Sequence, residues 1–80
     1  MVAQLQNKDG QESAYSLACG HVQYFEINNI RVSLYKESNV YHVSVYDYNK
    51  HKKIQWDVLD KLTDARKLYR KLKKSLILNS

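Results

Sequence analysis

Proline is absent from this chain of 80 residues, glycine occurs twice (Gly10 and Gly20), and cysteine occurs once, at Cys19. Each scarcity excludes something. Without proline, and with only isolated glycines, no stretch has the composition of an interdomain linker, and no Gly-rich loop can cradle a phosphate. A single cysteine cannot close an internal disulfide, so the fold stands on its core and suits a reducing compartment. Cys19 and His21 form a C-x-H pair, but a zinc site needs further ligands at suitable spacing and no second cysteine exists. No metal and no cofactor are expected. No apolar run approaches the roughly 18 residues of a membrane helix, and "MVAQLQNKDGQES" lacks the basic-then-apolar pattern of a secretory signal. The expectation is a cytoplasmic protein with no membrane partner.

The residues that are present describe one small globular domain. Hydrophobic residues make up 44% and charged residues 26% of the chain, outside the range of disordered sequences. Residues 1–40 carry three basic and four acidic groups, whereas residues 41–80 carry ten basic and four acidic groups. The whole excess behind the net charge of +5 therefore lies in the second half. That asymmetry suits DNA, RNA, an acidic protein surface or an anionic membrane, although a solvated basic helix would also serve solubility alone, and the apolar stripe of that helix is needed to close the sheet and not to meet lipid.

Residues 1–19 read as a flexible arm or short helix and residues 20–80 as a single α+β domain. "QNKDGQES" is polar with an Asp-Gly turn signal, and "SAYSLACG" fits one or two helical turns ending at Gly20. "HVQYFEI", "NN" and "IRVSLYK" then spell a hairpin. Asn-Asn fits a type I′ turn, which sets Ile27 opposite Ile30, Phe25 opposite Val32 and Glu26 opposite Arg31. A second turn at Ser38-Asn39 sets Leu34 opposite Val43 and Val32 opposite Val45. A third at "NKHK" leads into "KIQWDVL", with Trp56 expected beside Val45 and Val58 beside Val43.

The last segment, "LTDARKLYRKLKKSLIL", is an amphipathic helix. Ala65, Leu68, Tyr69, Leu72 and Leu76 form its apolar stripe. Thr63 is the expected N-cap and Asp64 suits the first turn. The predicted fold is a four-stranded antiparallel β-meander with this C-terminal helix on one face. The expected core is Phe25, Ile27, Ile30, Val32, Leu34, Tyr41, Val43, Val45, Ile54, Trp56 and Val58 against the stripe.

One helix covers one face, so the other stays open. Its expected rows are Val22, Tyr35, His42, Leu59, then Tyr24, Ser33, Ser44, Asp57, then Glu26, Arg31, Tyr46, Gln55, with Tyr48 beside Lys53. Tyrosine and serine are ordinary residues of a solvated strand face. Tyrosine and arginine are also enriched at interfaces, and aromatic rings interleaved with basic groups suit unpaired bases and phosphates. The candidate binding residues are Arg31, Tyr35, His42, Tyr46, Tyr48, Lys50, Lys52 and Lys53. A second candidate surface is the basic helix face of Arg66, Lys67, Arg70, Lys71 and Lys74.

The segment "WDVLDKLTDARKLYRKL", a strand passing into a helix that carries Ala65 and Tyr69, resembles the corresponding passage of plant AP2-type and integrase N-terminal DNA-binding domains. The resemblance covers the last half of the chain. It implies a sheet face that reads DNA, as a likeness of fold, which does not fix function.

Catalytic signatures are missing. Cys19 has no orienting third group or oxyanion element, so it reads as a buried or half-buried structural thiol. Asp47, Asp57, Asp60 and Asp64 fit turn, strand-surface and cap positions. The expected function is a non-enzymatic binding module for nucleic acid. The alternative is a protein-interaction module, either a homodimer through the open face or an accessory or inhibitor protein of a phage or mobile element.

Overall fold

The computed structural model describes residues 13–79. The polar arm expected from Gln6 lies outside them except for Ser13. Two tight turns set the register of the sheet. Asn28, Asn29, Ser38 and Asn39 all have positive φ, at 52, 63, 58 and 66°. Positive φ at both central positions matches the right-handed twist of the flanking strands, and asparagine tolerates it better than most residues. The chain accordingly runs α1 (Ala14–Ala18), β1 (Gln23–Ile27), β2 (Ile30–Glu37), β3 (Val40–Asp47), β4 (Lys52–Leu59) and α2 (Leu62–Leu78). The strands form one antiparallel sheet in the order β1-β2-β3-β4. The pairs Phe25↔Val32, Glu26↔Arg31, Leu34↔Val43 and Val32↔Val45 all form as the turns predict.

Helix α2 closes one face. Val32, Leu34 and Val43 meet Ala65 and Tyr69 in a buried cluster, with Phe25, Ile30, Tyr41, Leu68, Leu72 and Leu76 packed around it. Each fully buried aliphatic side chain here contributes about 1.5–3 kcal/mol by leaving water. The helix is capped two residues earlier than expected. Lys61 is the N-cap and makes no side-chain cap bond, so Thr63 is not the cap. Leu62 in the first turn packs against the core instead. Asp64 does sit in the first turn, where the helix dipole favours it.

The short helix α1 is capped by Ser13, whose hydroxyl accepts the Ser16 N–H at 3.0 Å. It plugs the core with Leu17, which is completely buried. Cys19 corrects the sequence reading, because its thiol is exposed. Leu17 takes the inward position of the single helical turn, and Cys19 is left at the C-cap before Gly20 reverses direction at φ 97°.

The larger correction lies in β4. Trp56 pairs with Ser44 and not beside Val45, and Val58 pairs with His42 and not beside Val43. Ile54, Trp56 and Val58 are therefore on the open face, 46, 57 and 54% exposed, and do not belong to the core. Leu59 moves the other way and packs toward α2. Two local devices produce this. The Asp47 carboxylate accepts the backbone N–H of Asn49 at 2.9 Å and of Lys50 at 3.3 Å, closing a tight turn that sets Asp47 against Lys52. A bulge then follows, because Tyr46 pairs with Lys53 but Val45 with Gln55, which leaves Ile54 as the extra residue. One extra residue turns the rest of the strand over. The helix covers β2 and β3 better than the β4 edge, where Gln55 is exposed on the helix side and bonds Asp57 at 3.0 Å.

Candidate binding face

The open face carries three rows. Tyr35, His42 and Val58 share one; Tyr24, Ser33, Ser44 and Trp56 the next; and Glu26, Arg31, Tyr46 and Lys53 the third. Compared with the sequence expectation, Val58, Trp56 and Lys53 replace Leu59, Asp57 and Gln55. Val22 precedes β1 and is exposed.

The rings are ordered against each other. Tyr35 and His42 stack with centroids 4.9 Å apart and planes within 5°. They are direct cross-strand partners, and strand spacing is itself about 4.8 Å. Their planes therefore stand up from the sheet, and His42 itself is buried between Tyr35 and Trp56. Trp56 meets His42 with centroids 5.9 Å apart and planes 23° apart, and its Nε1–H donates to His42 Nδ1 at 3.1 Å. The bond makes this an edge-to-edge contact that continues the aromatic wall. An indole nitrogen only donates, so Nδ1 must accept. The imidazole proton then belongs on Nε2, which donates to the Glu37 carbonyl at 3.3 Å. Trp56 lies over its partner Ser44, which is buried although it faces the open side.

Basic groups dress this wall. Lys53 Nζ sits 4.5 Å from the Trp56 ring centroid. The Arg31 guanidinium lies 4.3 Å from the Tyr24 ring and 5.8 Å from that of Tyr48, with Glu26 Oε1 3.8 Å away. Tyr46 and Tyr48 meet edge to face at 4.9 Å. These are cation–π and aromatic contacts worth roughly 0.5–1 kcal/mol each at such exposure.

The structure thus gathers Arg31, Tyr35, His42, Tyr46, Tyr48 and Lys53. Lys50 is exposed in the β3–β4 turn just beyond them. Lys52 separates, because it pairs with Asp47 in the phase that faces α2. Of the second surface, Lys67, Arg70, Lys71 and Lys74 are exposed and Arg66 is partly buried. Arg70 and Lys74 border a shallow depression of about 420 Å³ with Lys73, Ile77 and Leu78, at the far end of α2 from its junction with β4.

Sequence reasoning missed Ile54, Trp56 and Val58 as surface residues. Their alternation reads as a half-buried strand in either register, and only the bulge decides which side they take. The nearest signal is Asp47 in "DYNKHK", an Asx-type turn former whose tight closure sets Lys53 opposite Tyr46 and not Tyr48, a two-residue shift that keeps the phase until the bulge. Among the described residues no three His, Cys, Asp or Glu side chains come together as a metal site, and no helix is long and apolar enough to cross a membrane. Compared with known proteins, the chain matches no family model, no curated protein and no solved structure.

Proposed function

We propose that this chain is a non-enzymatic protein-binding module whose open sheet face docks a partner surface that is apolar at its centre and acidic at its rim. The observation that carries this reading is the row of Ile54, Trp56 and Val58, about half exposed, beside the Tyr35–His42 stack. Large apolar side chains on the solvent side of a sheet mark interaction sites, and Trp, Tyr and Arg are the residues that dominate interface energetics. The ring geometry supports a protein over unpaired bases. A base stacks on a ring face, but Tyr35 is faced by His42, Trp56 by Lys53, and Tyr24 by Arg31. Edges and aliphatic groups point outward instead. Arg31, Lys50 and Lys53 around the wall favour carboxylates on the partner.

A second reading, nucleic-acid binding, is favoured by Lys50, Lys52 and Lys53 clustering at one turn and by the basic second half of the chain. Parallel measurements separate the two. Immobilised protein is compared with its Trp56→Ala and Tyr35→Ala variants for retention of partners from cell extract treated with nuclease. Wild type is also titrated with single- and double-stranded DNA and RNA at low salt. The protein reading expects a discrete partner retained by wild type and lost from both variants. Retention by both variants alike removes the open face from consideration. Salt-steep nucleic-acid binding, abolished by charge reversal at Lys50, Lys52 and Lys53, establishes the second reading.

A further inference from the structure

Strand β4 is an edge strand, with no strand paired beyond it among the described residues. An edge presents a row of backbone N–H and C=O groups to solvent and is a template for pairing. Charge along β4 is polar: Lys52 and Lys53 lie at its start and Asp57 near its end, with Asp60 and then Lys61 just past it. We infer that β4 pairs antiparallel with β4 of a second copy of this chain, giving a two-fold dimer with a continuous eight-stranded sheet.

Antiparallel self-pairing sets the basic start of each β4 against the acidic end of the other. The two-fold axis supplies that complementarity twice, as an isologous interface requires. An axis through Trp56 also matches the open face. It places Ile54 against Val58 of the second copy and the two Trp56 side chains beside each other, so apolar meets apolar. Moving the axis to Asp57 would oppose two carboxylates. Moving it to Gln55 would set Ile54 against Trp56 but would centre the pairing on the bulge, where the ladder is broken. Cross-strand pairs of these kinds are the unit of sheet stabilisation.

The bulge at Ile54 gives the pairing a limit. A bulge disrupts the ladder and bends the strand, and lysine on an edge discourages promiscuous pairing. In β4 both devices fall at the basic end. The backbone ladder is regular only from about Gln55 onward, so about an axis at Trp56 the main-chain pairing runs over residues 55–57 of both copies, and Ile54 meets Val58 through side chains at the bulge. Antiparallel pairing of the same edge consumes it in both copies, so assembly stops at two through this edge. The dimer goes beyond the partner reading of the face and does not depend on it. It would align two aromatic walls side by side across the axis.

Sedimentation velocity from about 1 μM to 1 mM protein, a span of roughly 4 kcal/mol in association free energy, tests it. Wild type should shift from monomer to dimer within that range. Reversing only the basic end (Lys52→Glu, Lys53→Glu) or only the acidic end (Asp57→Lys, Asp60→Lys) should weaken the dimer at least tenfold. Combining all four substitutions should restore it, because complementarity returns with the signs exchanged. Circular dichroism verifies that each variant folds. Three results overturn the inference: a monomer throughout the range, a dimer indifferent to both half-reversals, or half-reversals that are not rescued by their combination. A dimer abolished by Tyr35→Ala but not by the half-reversals would place self-association on the open face and equally overturn it.

Discussion

Replacing Trp56 with alanine puts a number on the reversed β4. Tryptophan is the largest side chain, and Trp→Ala in a core costs about 3–5 kcal/mol. Here the residue is 57% exposed, so a little over two-fifths of it is sheltered. On roughly 250 Å² for a fully buried ring, that is about 100 Å² removed from water, or about 2.5 kcal/mol at 25 cal/mol/Å². A compact unfolded state already hides part of that area, which lowers the value to about 1.5–2 kcal/mol. The Nε1–H bond to His42 adds little, since removing the indole opens the buried His42 to water, which can replace the donor. Leu34 is the internal comparison. It is completely buried between sheet and helix, and Leu34→Ala should cost about 3–5 kcal/mol with its cavity. The expected order is therefore inverted with respect to size: the larger truncation is the milder one. Urea unfolding followed by far-ultraviolet circular dichroism, at concentrations that hold the monomer, measures both. A Trp56→Ala loss equal to or above that of Leu34→Ala would refute the bulged register and return Trp56 to the helix side.

Further consequences are local. Deleting Ile54, the extra residue of the bulge, should leave Trp56 opposite Ser44 and change stability by no more than about 1 kcal/mol, checked by cross-strand nuclear Overhauser contacts and urea unfolding. Asp47→Ala removes the buried acceptor of two backbone N–H groups and should cost about 1–2 kcal/mol, read from the denaturation midpoint. Ser38→Asn with Asn39→Gly supplies residues better suited to φ of 58 and 66°, and should raise stability by about 1 kcal/mol, seen as a higher melting temperature.

The parts of the fold that were legible are those where two independent signals agree. The first hairpin has turn-forming asparagines, matched apolar partners and the Glu26–Arg31 pair all selecting one register, and that register forms. The second hairpin repeats this with Ser38-Asn39. Helix α2 has a stripe long enough that period alone identifies its buried side. In β4 the signals conflict. Ile54, Trp56 and Val58 are the apolar phase, and burying them is what alternation predicts. Yet the core side beneath α2 is already filled by Leu59, Leu62 and Leu17, and one helix is too narrow to roof the β4 edge. The bulge resolves the conflict through backbone geometry, which no period-2 pattern encodes. Leu17 was missed for a different reason: a single helical turn is too short for periodicity to show, and its burial depends on a corner left open by the longer helix. The site followed the same division. Arg31, Tyr35, His42 and Tyr46 were placed by the well-determined hairpins, whereas Trp56 went wrong with its strand.

The position of Trp56 has an optical consequence. It is the only tryptophan in the chain. Its indole is bonded at the nitrogen to His42 and covered on one face by the Lys53 ammonium, and the rest meets solvent at the edge of the sheet. Any molecule that settles on this face must dry that ring, displace the ammonium or disturb the bond to imidazole, and each changes the colour or yield of its emission. The chain therefore carries its own label, unmodified and on the face proposed to bind, and a fluorimeter can screen for occupants of that face.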